Sequence, residues 1–283
     1  MGSCRIYAPL LVLSLALAPS LSSAFAPITA NTLRIMSRRA ASAALSPPNV
    51  KRIRGGGAHA LNMATLYCKQ GEKEGSMGEC PFTLKANMAL RSKKVDFESV
   101  MINFAAKPEW FMKLNEKGTA PTFTTDQGKT ITDSEDIISW LDETVPEGGL
   151  LKGNSDAAAV WDAGSGVFPA LGKLLKNTEV GDEPELKTSL KAELQKLEDA
   201  LAKRPVGGLL GGKRLVHEDC RLAPFLFHVS ATVPAFKGED VLASLPATTA
   251  YLAALSATPE FQAATCPPEG VVFGWKSKVG IKP

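Results

Sequence analysis

From Met63 onward the apolar and polar positions fall into short alternating blocks. Ala64 to Cys68, with Leu66 and Tyr67, is an apolar run that predicts a strand. Lys69 to Gly78 is polar, carries Gly71, Gly75 and Gly78, and reads as a loop. Pro81 to Ser92 sets Phe82, Leu84, Met88 and Leu90 among good helix formers, with proline at the first turn, and predicts a helix. Val95 to Ile102 alternates as a second strand. Pro108 to Leu114 predicts a short helix with Trp110, Phe111 and Leu114 on one face. Lys117 to Phe123 is a turn feeding a strand, Asp126 to Lys129 a hairpin turn, and Thr130 to Thr132 the start of the returning strand. Ser134 to Glu143 predicts a helix with Ile137, Ile138 and Leu141 facing inward and Asp133 or Ser134 as its N-cap.

Pro146-Glu147-Gly148-Gly149 reads as a linker, and the pattern beyond it is helical. Leu186, Leu190, Leu194, Leu197 and Leu201 mark an amphipathic helix over Glu185–Lys203, a stripe expected to pack against neighbouring helices. Asp219–Thr232, Val241–Leu255 and Pro259–Ala264 are further helix candidates. Val216 stands where a Ser or Thr N-cap is common, so that helix start is expected to rely on Asp219. The first half has the order βαβαββα, which resembles the thioredoxin-like order of glutathione-binding domains. Ala120-Pro121 falls where that fold carries a cis proline, and cis is expected from this position alone, since an isolated X-Pro bond prefers trans. The fold expectation is an α/β thioredoxin-like domain over residues 63–146 and an all-α domain over 151–283, the glutathione transferase architecture.

Composition changes the picture mainly at the N-terminus. The chain has 283 residues and a net charge of +3. Before Met63 there are seven basic residues and no acid, which leaves 25 basic against 29 acidic residues, a net −4, for the rest. A basic nucleic-acid-binding domain is excluded on that arithmetic. Arg5 precedes an apolar stretch from Tyr7 to Ala18, too short for a comfortable membrane span, and Ser22, Ser23 and Ala24 offer a cleavage site. Phe25 to about Ala60 is rich in Ala, Ser and Arg, the composition of a transit peptide. Ser23-Ala24-Phe25-Ala26-Pro27 resembles the junction that targets proteins to algal plastids of secondary origin. Residues 1–62 are therefore expected to be a removable bipartite leader, with the mature protein in the plastid stroma.

Five cysteines and three histidines are present. No cysteine pair has zinc-like spacing, and neither a metal nor a disulfide framework is expected. Cys68, Cys220 and Cys266 are expected to pack in or near the core. Cys80 differs, because Gly78-Glu79-Cys80-Pro81-Phe82-Thr83 puts its sulfur at a helix N-terminus. Free backbone N–H groups and the helix dipole there stabilise a thiolate and make it a nucleophile. Thr83 stands where a dithiol motif would carry a second cysteine, so an external thiol must resolve whatever forms on Cys80.

Cys-Pro-Phe together with Lys107-Pro108-Glu109-Trp110-Phe111, Gly118 through Pro121 followed by Phe123, and Asp133-Ser134-Glu135-Asp136-Ile137-Ile138 resembles the plant-type glutathione-dependent dehydroascorbate reductases. Weaker matches follow at Leu222-Ala223-Pro224 with His228, and at Val272-Phe273-Gly274-Trp275. The resemblance implies Cys80 as nucleophile. It implies Lys107, Ala120 beside Pro121, and Asp133 with Ser134 as the holders of glutathione. It places Lys69, Glu79, His228 and Trp275 at positions that contact ascorbate, the first two also near glutathione. Glu79 replaces the family's usual Asp, and the loop before Cys80 is one residue shorter than the family pattern. The implied reaction is reduction of dehydroascorbate by two glutathiones through an oxidised Cys80, a sulfenic acid. Glutathione is a co-substrate, no cofactor is permanently bound, and a monomer is expected. The alternatives are an omega-like glutathione transferase or thiol transferase, which shares the Cys-Pro-Phe start, and a chloride intracellular channel-like protein, which shares the glutaredoxin-like cysteine.

Overall fold

A computed structural model of the chain describes residues 52–54, 63–146 and 151–280. The expected leader lies outside these apart from Arg52–Arg54, and so do Glu147–Gly149 of the expected linker. The expected βαβαββα order is present as strand β2 (Ala64–Lys69), helix α1 (Pro81–Ser92), β3 (Phe97–Ile102), α2 (Glu109–Leu114), β4 (Thr122–Thr124), β5 (Thr130–Ile131) and α3 (Ser134–Thr144). A short strand, β1 (Arg52–Arg54), precedes them and pairs antiparallel with β3. The sheet order is β1-β3-β2-β4-β5. Among the described strands only β2 and β3 run parallel, with Lys69 opposite Ile102 at their C-terminal ends. In β2 the alternate residues Ala64, Leu66 and Cys68 are buried.

Two details differ from the expected elements of this half. Val95 and Asp96 are not in the second strand, because α1 unwinds through Lys94 in a left-handed conformation (φ 56°) and the Val95 N–H bonds back to the Leu90 carbonyl. The short helix begins at Glu109, with Pro108 as its extended N-cap.

The remaining helices are α4 (Ser155–Gly164), α5 (Val167–Lys176), α6 (Glu183–Leu201), α7 (His217–Lys237), α8 (Pro246–Ser256), α9 (Pro259–Ala264) and α10 (Pro268–Lys276). The expected stripe on α6 is core over Leu190, Leu194, Leu197 and Leu201, which are all buried, while Leu186 near the helix start is half-buried and packs against the same cluster. The α7 start works as expected, since the Asp219 carboxylate accepts the Val216 N–H at 2.9 Å and also binds Leu210 N–H and Tyr251 O–H. This helix outruns its expected end at Thr232. It carries Pro224 and Pro234 internally and stops only at Gly238, in the left-handed C-cap conformation that glycine adopts without strain. Conversely, the helix expected over Val241–Leu255 begins only at Pro246. Turns occupy 241–244, and buried Glu198 accepts the Ala247 N–H, the Thr248 N–H and the Thr248 hydroxyl at the new start. Helix α1 packs against α3, α7 and α9, and α10 packs on α7. This joins the two halves around the start of α1.

Candidate active site at the start of the first helix

Lys69 ends β2, and the loop after it folds straight back. Gln70 bridges to Met77 and the Gly78 N–H bonds to the Lys69 carbonyl at 2.8 Å. A Cβ on Gly78 would come within 2.7 Å of that carbonyl oxygen, so the close return requires glycine. The return delivers Glu79 and Cys80 to the N-terminus of α1. Cys80 is the N-cap, with extended backbone, and Pro81 follows at a helical position where its missing N–H is harmless. The Ala120-Pro121 bond is cis, as expected from the fold position. The Cys80 thiol lies 3.5 Å from the Ala120 carbonyl oxygen and donates to it. Cys80 is half-buried, whereas Cys68, Cys220 and Cys266 are buried, as expected.

Behind Cys80 sits a charged cluster. The Glu79 side chain is only 2% exposed, and its Oε1 accepts from Lys69 Nζ at 2.6 Å and from Lys278 Nζ at 2.8 Å. Burial pushes the Glu79 carboxyl up, but the two ammonium groups outweigh it and hold the group below its ordinary range. Gly274 on α10 makes the room: a Cβ there would fall 2.1 Å from the Glu79 carboxyl carbon. His228 and Trp275 meet beside this cluster. The Trp275 indole N–H donates to His228 Nδ1 at 2.9 Å, and both side chains are buried. Burial, with Lys278 nearby, lowers the His228 pKa to about 4, against an opposing pull from Glu79. Cys80, Glu79, Phe227, His228 and Cys266 line one small cavity.

Of the residues expected to hold glutathione, Ala120 is the one in contact with Cys80. Ala120 is half-buried next to the cis bond, and Pro121 is buried. Lys107 is exposed, with Nζ 4.9 Å over the Phe104 ring. Gly118, at φ 56°, lies against it, since a Cβ there would sit 3.1 Å from Lys107 Nζ. Asp133 is the N-cap of α3 and accepts the Glu135 N–H at 2.7 Å, while Ser134 is buried as the first helical residue. Glu135 beside it accepts from Lys85 Nζ at 2.6 Å and Arg221 Nη2 at 2.7 Å, with His217 Nε2 at 2.8 Å. Burial opposes ionisation of Glu135, yet these partners hold its carboxyl well below the usual range. Arg221 and His217 belong to α7, so this cluster fastens the helical half to α3.

Comparison with known proteins places this arrangement. The model for the glutathione S-transferase N-terminal domain matches residues 79–144. Glutathione S-transferase DHAR2 of Arabidopsis thaliana is 34% identical over 203 residues, covering 72% of this chain and 92% of the relative. The chain belongs to the DHAR group of glutathione S-transferases. The chloroplastic DHAR3 of the same plant is 30% identical over 72% of the chain and 75% of its own length. The crystal structure of Chlamydomonas reinhardtii dehydroascorbate reductase superimposes with a TM-score of 0.68 at 28% identity, covering 76% of this chain and 98% of that one. Omega-class glutathione S-transferases of rat, mouse and pig match over shorter stretches.

Within this DHAR fold, Lys69, Glu79, Cys80, His228 and Trp275 are brought together. Lys107, Ala120, Pro121, Asp133 and Ser134 follow in the loops and helix start beyond the cysteine. Three participants were not legible in the sequence. Lys278 is separated by 199 residues from the carboxylate it binds. Gly274 was matched only as part of a segment, with no sign that Glu79 needs its missing Cβ. Phe168 on α5 stacks on Phe225 at 4.7 Å and meets Phe82, His228 and Trp275 edge-on, forming an aromatic wall. Periodicity marks such residues only as core.

Proposed function

We propose that this enzyme reduces dehydroascorbate to ascorbate with glutathione, using Cys80 as the nucleophile. The observation that carries the reading is the Cys80 sulfur at the N-terminus of α1, beside the cis Ala120-Pro121 peptide, in a chain of the DHAR group. A helix N-terminus favours the thiolate. The thiolate attacks an electrophilic carbonyl carbon of dehydroascorbate. Water then attacks sulfur, the S–C bond breaks, and its electron pair returns to the ring. Ascorbate leaves as a monoanion with one proton from that water, and the hydroxyl stays on sulfur as a sulfenic acid. One glutathione thiol displaces water and forms a mixed disulfide. A second glutathione thiolate breaks that S–S bond, releasing glutathione disulfide and the Cys80 thiolate.

The backbone at Ala120 suits strand-like pairing with the cysteinyl part of glutathione. Ser134 and the N–H groups at the start of α3 suit the γ-glutamyl carboxylate, and exposed Lys107 suits the glycyl carboxylate. The test is ascorbate formation from dehydroascorbate and glutathione by wild type and Cys80→Ser. Loss of at least about 10³-fold in the variant is expected. Wild type that reduces glutathionylated peptides but not dehydroascorbate would favour the omega-like thiol transferase reading. Residues 1–62 are proposed as a plastid-targeting leader on their composition and the Ser23–Pro27 junction. A reporter carrying them should reach the stroma of a secondary plastid, and one that is secreted with Phe25 intact sinks that proposal.

A further inference from the structure

The Glu79 carboxylate carries two ammonium groups on a single oxygen. The bonds from Lys69 and Lys278 are 2.6 and 2.8 Å, so the two nitrogens lie within about 5.4 Å of each other. The carboxylate is nearly inaccessible, at 2% exposed, whereas the lysine side chains are 26% and 36% exposed. An ammonium has three donors, and Glu79 takes one from each lysine. The others remain for a ligand on the open side. Lys278 is also held over the Trp275 ring at 4.9 Å, which fixes its long side chain before any ligand arrives. The three groups together carry a net charge of +1 immediately next to the nucleophile.

We propose that Lys278 and Lys69 form a two-ammonium fork for adjacent oxygens of the substrate, with Glu79 as its buried support. The inference rests on the dehydroascorbate reading of this site. Dehydroascorbate is neutral, and its reduction leaves an anion whose charge spreads over an enediol. A preorganised cation pair aimed at those oxygens binds the developing charge more tightly than the neutral starting compound, and so favours the reductive step. Glu79 then acts through the lysines and is a positioning residue. Reduction of a mixed disulfide develops no enediolate charge, so the fork selects between substrate classes.

The experiment is steady-state kinetics of wild type, Lys278→Gln and Lys278→Arg with glutathione, against dehydroascorbate and against a glutathionylated peptide. Inhibition by added ascorbate is measured alongside. Lys278→Gln should lower kcat/KM for dehydroascorbate about 10- to 100-fold and weaken ascorbate inhibition about tenfold or more. Its effect on peptide reduction should be several-fold smaller, and Lys278→Arg should recover most of the lost dehydroascorbate activity. Equal losses on both substrates, or none on either, overturn the fork and leave Lys278 as an anchor of the C-terminal turn. Wild type that reduces the peptide but not dehydroascorbate overturns the functional reading itself, an outcome visible before any variant is made.

Discussion

Of the four described cysteines, Cys80 alone is half-buried and the other three are buried. Cys68 and Cys220 are fully buried, and burial pushes both thiols far up, with the nearby Cys80 and Asp219 adding to the effect. Burial also pushes Cys266 up, to about 11, with Glu79 contributing. Thiolate character and access together govern alkylation. Iodoacetamide at mildly acidic pH should therefore modify the half-buried Cys80 first, by a margin of about tenfold or more. Peptide mapping at partial labelling checks this, and a lead by Cys266 would contradict it. The same reasoning separates Glu79 from an ordinary surface acid. Its charge survives burial only because two lysines bind one of its oxygens.

Helix α10 accommodates the Glu79 carboxylate through a missing atom. Gly274 lets the Glu79 carboxylate lie against the helix, which brings Trp275 onto His228 and Lys278 onto Glu79. Gly274→Ala should drive the carboxylate out of its place and cost about 1–3 kcal/mol of stability. Dehydroascorbate reduction should fall by about tenfold or more, because the lysines lose their common support. Urea denaturation and the ascorbate-forming assay check the two parts, and a variant with wild-type values in both would contradict the packing argument. Gly71 and Gly78 show the same logic in the loop before Cys80, where a Cβ would meet backbone oxygens at 2.7 Å. The tight return of that loop delivers Cys80 to the helix start.

For the molecule as a whole, acid sensitivity follows from the buried His228. Its folded pKa of about 4 lies below the ordinary 6.5, so the unfolded chain takes up a proton between those values while the folded chain does not. The stability held by the neutral imidazole is complete above pH 6.5, declines as the pH falls through this window, and is gone below about 4. The loss is on the order of 3 kcal/mol. Glu79 and Glu135 have depressed pKa values, and their contributions fade only at lower pH, as each carboxylate is protonated. Urea midpoints should therefore begin to fall already below pH 6.5 in wild type. In His228→Gln, which keeps an acceptor for the Trp275 N–H, that early decline should disappear. An unchanged early decline would assign it to another group.

Strand β1 and the helices α4, α5 and α10 were not readable from the residues alone, whereas the βαβαββα order of the first half, the Cys-Pro helix start, the Asp219 cap and the leucine stripe of α6 were. Each depends on neighbours within a few positions: a proline that suits a first turn, a carboxylate three residues into a helix, leucines at helical spacing. The helix ends in the second half were less legible. Pro234 argues locally for a stop, and Val241 to Leu245 looks helical, yet Gly238 and the Glu198 carboxylate, 49 residues from Ala247, moved both boundaries. The candidate site divides the same way. Cys80, the cis Pro121 and the Asp133 cap follow from local motif and fold position. The pairing of Lys69 and Lys278 on one oxygen of Glu79 does not, because it arises only when α10 packs against α7 and a glycine leaves space for a carboxylate. Local chemistry is written in short spacings, whereas the charge balance around a buried group is set by whichever distant side chains the packing brings to it.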